Sequence, residues 1–265
     1  MIVIEKSQTT KNTKITKKNR KTGVGRTAAQ RIRRMPMSRI KKVLIFTTVA
    51  IVCIIALFIG QVIYLAHPTK GRIIDQYENP KQAVLVIDIQ EDFTGTTAKA
   101  PFPYKDSDRL IRTVNAITEA AFARNIMIVY IRQELDGLMG KMLSHLLAGG
   151  VAIRGNPGTE IDKRISILSD AIFPKPRSDA FSTPELGKFL MENQVNELYL
   201  VGLDADGCVH VTAQGALNRG YRVNIITDAV VLKDEDRWEE LLAEYRQEGI
   251  QLMLSQEFLT GKSLD

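Results

Sequence analysis

Residues 43–66 (VLIFTTVAIVCIIALFIGQVIYLA) carry no charge and few polar side chains, and this run constrains how the rest of the chain can be organised. An α-helix rises 1.5 Å per residue, so about 20 apolar residues cross the hydrocarbon core of a bilayer. The run is long enough to cross with some tilt. A core helix of a soluble protein rarely lacks a polar face over such a length. A cleaved signal peptide has an apolar region of about 7–15 residues and a small-x-small exit. Here the run is longer, and Tyr64-Leu65-Ala66 is a poor exit. Arg33-Arg34 is followed by Met-Pro-Met-Ser, which fits a twin-arginine signal badly. The sequence therefore predicts one transmembrane helix over 43–66, in contact with the lipid bilayer.

The net charge of +6 hides a split around that run. Residues 1–42 hold 14 lysines and arginines and one acid, Glu5. Beyond the run the balance reverses, with 22 basic and 29 acidic residues. The positive-inside bias then predicts a single-pass protein of the cell membrane, its N-terminus cytoplasmic and its acidic domain extracytoplasmic. The basic segment has little periodicity and reads as a mostly disordered arm. Such an arm can touch anionic lipid or nucleic acid. No aromatic residue interleaves its cations before Phe46, so no specific nucleic-acid partner is expected. The two cysteines, Cys53 in the run and Cys208 beyond it, cannot pair, which leaves the domain without internal disulfides.

Residues 67–81 read as a polar linker and 82–265 as one domain. Within the domain, apolar runs alternate with helical patterns. The predicted strands are 83–89, 126–132, 171–175, 197–203, 222–230 and 250–255. The predicted helices are 106–125, a short one over TEIDKRIS (159–166), 183–194, 209–219 and 236–249. The stretch 133–160 shows no regular period. Six strands alternating with helices predict an α/β fold with a mainly parallel six-stranded sheet covered on both faces.

Three residues at the ends of apolar runs carry the chemistry. Asp88 closes AVLVIDI, Lys175 closes AIFPK, and Cys208 follows LYLVGL at a strand-to-helix turn flanked by Gly202 and Gly207. The carboxyl ends of parallel strands share one crevice, so the three can meet there. A carboxylate, an ammonium and a thiol together can activate sulfur as a nucleophile. The helix start after Cys208 is expected to lower the thiol pKa and to offer N–H groups to an oxyanion. Phe93, Arg132, Phe181 and residues of 133–160 are expected to line a small-molecule substrate pocket. A lone cysteine is more often an inert core residue. Two other readings stay open: a non-catalytic ligand-binding or signalling domain, and a redox-sensing thiol that lacks a second cysteine to resolve it.

The segments D-x-Q-x-D-F (Asp88, Gln90, Asp92, Phe93), K-x-x-x-D-A-F (Lys175, Asp179, Ala180, Phe181) and G-x(5)-C-V-x-x-T-A (Gly202, Cys208, Val209, Thr212, Ala213) stand in one order along residues 82–255. In this the chain resembles the isochorismatase-like cysteine hydrolase superfamily. The resemblance implies a Rossmann-like three-layer sandwich with an Asp-Lys-Cys triad. Cys208 would be the nucleophile, Asp88 the general base and acid, and Lys175 their electrostatic support. It implies an oxyanion hole from the backbone N–H groups of Asp204 and Cys208, and a cis peptide between Leu203 and Asp204. It implies a C–N bond in a small amide or carbamoyl compound as the target, with a homo-oligomer as a further option. Vinyl-ether-cleaving members do not generally depend on a cysteine, so a retained Cys208 favours acyl transfer. The nicotinamide-hydrolysing branch has an Asp-x-His…His metal site after the second strand. Here that region reads RQELDGLMGK, and no metal or cofactor is expected. Asp204-Ala205 replaces the family's usual Ala-Thr, and an inward-pointing Asp204 would disfavour anionic substrates.

Overall fold

The computed structural model describes residues 37–95, 98, 102 and 104–261. Helix α1 (Met37–Ala66) begins ahead of the apolar run, so residues 37–42 are helical and not part of a disordered arm. The arm expected over residues 1–36 lies outside the described residues. Ser38–Ala66 is long and apolar enough to cross a membrane. The described residues divide into two units inside this helix, between Ala56 and Leu57.

The second unit is built on six parallel strands: β1 (Lys81–Ile87), β2 (Met127–Gln133), β3 (Ile172–Lys175), β4 (Val195–Gly202), β5 (Arg222–Val230) and β6 (Gln251–Met253). They lie in the order β3-β2-β1-β4-β5-β6. Every neighbouring pair is parallel. The order in which successive strands are added reverses between β1 and β4, and the carboxyl ends on either side of that reversal form a ligand crevice in open α/β sheets.

Both faces of the sheet are buried, which is why its strands read as continuous apolar runs. Alternate residues of β1 supply the two cores. Ala83, Leu85 and Ile87 meet Leu186 and Leu190 of α4 (Pro184–Glu192), Ala213 and Ala216 of α5 (His210–Leu217), and Leu241 and Tyr245 of α6 (Trp238–Gln247). Val84 and Val86 meet Leu110, Val114 and Ile117 of α2 (Ser107–Ala123) and Phe258 of α7 (Ser255–Thr260). The result is a three-layer α/β sandwich.

Three segments differ from the sequence prediction. The stretch 133–160 contains a helix, α3 (Gly137–Leu147), capped by the Asp136 carboxylate on the Gly137 N–H. The expected helix over 159–166 does not form. Backbone bonds from Glu91 N–H to Glu160 O and from Asp162 N–H to Ile89 O, with an antiparallel bridge between Gln90 and Ile161, hold that stretch against the loop after β1. Residues 67–74, read as linker, bond to the domain at several points.

Candidate active site

Asp88 directly follows β1, Gln133 ends β2, Lys175 ends β3 and Cys208 lies just beyond β4. Asp88 has a left-handed backbone (φ 56°), an uncommon conformation that aspartate tolerates better than most residues. Beside it, Gly202 (φ 119°) has no room for a side chain, since a Cβ there would lie 2.1 Å from Ile87 O. The Leu203–Asp204 peptide is cis. A π-helical turn, Ala205–Val209, carries Cys208 into α5.

The three side chains meet. Lys175 Nζ lies 2.8 Å from Asp88 Oδ2 and 3.1 Å from Cys208 Sγ. Its third acceptor is Gln133 Oε1 at 2.5 Å, and Arg177 O stands at 3.3 Å. Among the described residues Asp88 Oδ1 is buried without a hydrogen-bond partner. Gln133 was not singled out in the sequence, yet it donates from Nε2 to Lys175 O and lies 3.9 Å from Cys208 Sγ through Oε1. Its pairing with Lys175 across β2 and β3 is the signal that points to it. Gln90 fixes Gln133 in turn, accepting from its N–H at 2.7 Å and donating to its carbonyl at 3.1 Å.

Burial governs the protonation states. Desolvation drives the Asp88 carboxyl above its usual range, against the pull of the Lys175 ammonium. Desolvation pulls on Lys175 too, but Asp88 and Cys208 outweigh it and hold the ammonium above its ordinary value. The Cys208 thiol is pushed up to about 12 by burial and by Asp88, with Lys175 opposing. The lowered thiol pKa expected from the helix start therefore gives way to burial and the neighbouring carboxylate. At neutral pH the thiol is protonated.

The Asp204 carboxylate is occupied by the backbone. It accepts from Asp206 N–H at 2.9 Å and from Lys233 N–H at 2.8 Å. Tyr104 stands beside it, and burial raises its pKa. Among the described residues the Asp204 N–H has no backbone acceptor. Three braces hold the Cys208 turn from α6 and the residues flanking it: Tyr245 OH to Ala205 O at 2.5 Å, the Arg237–Asp206 ion pair, and His210 Nε2 to Glu248 at 2.9 Å.

The expected pocket walls are placed differently from one another. Phe93 is half-buried against the core and stacks edge-on with Phe102 at 5.1 Å. Arg132 pairs with Glu134 at 2.9 Å and Glu160 at 2.6 Å. Phe181 is a core residue packed on Tyr221, with the Arg219 guanidinium 4.8 Å over its ring. The remaining motif residues are scaffold: Asp92 accepts from Ala152 N–H at 2.7 Å, and Thr212 from Ala180 N–H at 3.0 Å.

The residues after β2 do not suit a metal. Glu134 and Asp136 hold the Arg154 guanidinium between them at 3.3 and 2.9 Å, so a cation already balances these carboxylates. Among the described residues Asp206, His210 and Glu244 bring ligand atoms within 4.8 Å of one another. Arg237 neutralises both of those carboxylates, and the group belongs to the brace of the Cys208 turn.

Comparison with known proteins finds relatives of the chain. The chain is 28% identical over 171 residues to the streptothricin hydrolase of Streptomyces noursei, covering 64% of this chain and 60% of the relative. It is 29% identical over 171 residues to the N-carbamoylsarcosine amidase of an Arthrobacter species, covering 62% and 63%. The chain thus spans less than two-thirds of either relative's length. A cysteine hydrolase structure from Pseudomonas syringae shares the fold, with a TM-score of 0.62 at 19% identity over 72% of this chain and 97% of that one. Residues 82–257 match the isochorismatase domain, which is more than half of the chain, and the protein belongs to the isochorismatase family.

Proposed function

We propose that this protein is a membrane-anchored cysteine hydrolase that cleaves a C–N bond of a small amide or carbamoyl compound through a thioester. One observation carries the reading: a buried ammonium touches both a carboxylate and a thiol. In the first half-reaction Cys208 Sγ attacks the carbonyl carbon as its proton passes to Asp88. The N–H groups of Asp204 and Cys208 face the developing oxyanion. The C–N bond breaks as Asp88 returns the proton to the departing nitrogen, leaving an acyl group on sulfur. Water then gives a proton to Asp88 and attacks the thioester, and the C–S bond breaks as Asp88 passes that proton to sulfur, restoring the thiol and the base. Lys175 compensates the negative charge that moves between sulfur and carboxylate. The N-carbamoylsarcosine amidase among the relatives, an amidase by name, supports a C–N target.

Helix α1 supplies the anchor, and the basic residues before it favour a cytoplasmic N-terminus with the catalytic unit on the opposite side. Fractionation of cells followed by intact-mass analysis tests this part. A membrane-bound species that retains residues 43–66 supports an anchor, and a soluble species beginning after Ala66 refutes it. The chemistry is tested on the full chain in detergent with a panel of amides and carbamoyl compounds. An acyl adduct on wild type, absent from Cys208→Ser, is expected for at least one compound that is turned over. Turnover that survives Cys208→Ser would refute the mechanism.

A further inference from the structure

The motif residue Asp179 has no part in the mechanism, yet its side chain is fully buried four residues after Lys175. Oδ1 accepts from Phe181 N–H at 2.8 Å. Oδ2 accepts from two donors of one residue outside the sandwich, the Thr69 N–H at 2.7 Å and the Thr69 hydroxyl at 2.6 Å. Arg219 closes the arrangement, donating to Thr69 O at 3.1 Å, Thr69 Oγ1 at 2.9 Å and Lys70 O at 3.2 Å. Asn218 adds a bond to Thr69 O at 3.1 Å. Gly71 lies so close to Arg219 that a Cβ there would fall 2.5 Å from its Nε.

The same segment grips the loop that leaves Lys175. Ser178 N–H donates to Leu65 O at 3.0 Å, and the Arg177 guanidinium donates to His67 O at 2.8 Å while lying 4.1 Å over the Tyr64 ring. At its other end the loop meets the site, because Arg177 O accepts from Lys175 Nζ. Residues 175–181 are thus held between the triad and residues 64–71, the last turn of α1 and the chain just after it.

We infer that residues 64–71 form a strap that positions Lys175 for the reaction, with Thr69 as the positioning residue and Asp179 and Arg219 as its seat. This rests on the triad proposed above. A buried carboxylate that loses a charge-assisted partner is strongly penalised, so the strap cannot leave without rearranging the 175–181 loop. Residues 64–71 are then a working part of the enzyme.

The test is the pH profile of Cys208 alkylation by iodoacetamide, followed by intact mass on the full chain in detergent. The variants are Thr69→Val, Thr69→Ser, Gly71→Ala and, as a control on the triad, Asp88→Asn. Thr69→Val removes the hydroxyl bonds and weakens the hold on Lys175. Its alkylation rate at fixed pH should fall about tenfold and its inflection should move to higher pH. Thr69→Ser should restore both, and Gly71→Ala, which displaces Arg219, should move them in the same direction as Thr69→Val. A structural role alone would lower the melting temperature and leave the inflection in place. An unmoved inflection in Thr69→Val, or in Gly71→Ala if the former does not fold, overturns the strap while Asp88→Asn still shifts the profile. A profile that Asp88→Asn leaves unmoved overturns the triad itself.

Discussion

Two ion pairs of nearly equal length differ in every consequence. Lys175 and Asp88 approach to 2.8 Å with side chains 0% and 3% exposed. Arg154 and Asp136 approach to 2.9 Å with side chains 54% and 58% exposed. Water screens the second pair, and such contacts contribute little. The first pair has left water, so each charge depends on the other and on Gln133, and the carboxyl, ammonium and thiol all bind protons more tightly than usual. Distance alone does not mark a functional pair. Removal from water does, together with a third group that shares the charge.

The largest break in this contrast comes from Lys175→Met. It strands a buried carboxylate and should destabilise the folded state by about 3–5 kcal/mol, read from denaturant midpoints. Amide turnover should vanish with it. Gln133→Leu comes next. Removing the acceptor at 2.5 Å from Nζ should cost about 1–3 kcal/mol and lower kcat more than KM changes.

A smaller effect lies in pH. The folded thiol has its pKa pushed up to about 12 from 9.0, so the folded state holds this proton more tightly than the unfolded chain. The linked stability is whole below pH 9 and is lost as pH rises toward 12. Melting temperatures over that window should fall more steeply for wild type than for Cys208→Ala. Smallest of all, Arg154→Ala should leave the melting temperature and the alkylation of Cys208 unchanged. A clear loss there would erase the distinction between the two pairs.

The sheet was readable because burial on both faces writes itself as apolar runs, and β1, β2, β4 and β5 announce themselves in that way. Helix α3 was hidden because Leu138, Met139, Met142 and Leu146 are exposed while Ser144 is buried, so its apolar residues do not mark its inward face. TEIDKRIS carries helix-like signals, but Asp162 spends its carboxylate on Thr94 and Arg164, which belongs to a folded loop. At the site, Asp88, Lys175 and Cys208 stood out as polar groups at the ends of apolar strands. Gln133 did not, because an uncharged polar residue at a strand end is ordinary until its register with Lys175 is known. The direction of the thiol's shift was also hidden. A helix start can be read from sequence, whereas burial against Asp88 cannot.

The most direct measurement is the pH dependence of Cys208 alkylation in wild type and Asp88→Asn. An assembled triad requires wild type to react slowly at neutral pH and to inflect well above 9.0. Removing the Asp88 charge should shift the inflection to lower pH and speed alkylation while abolishing amide turnover. Two coincident profiles with the inflection of an ordinary free thiol would mean that carboxylate and sulfur do not sense each other, and the proposed mechanism would fall.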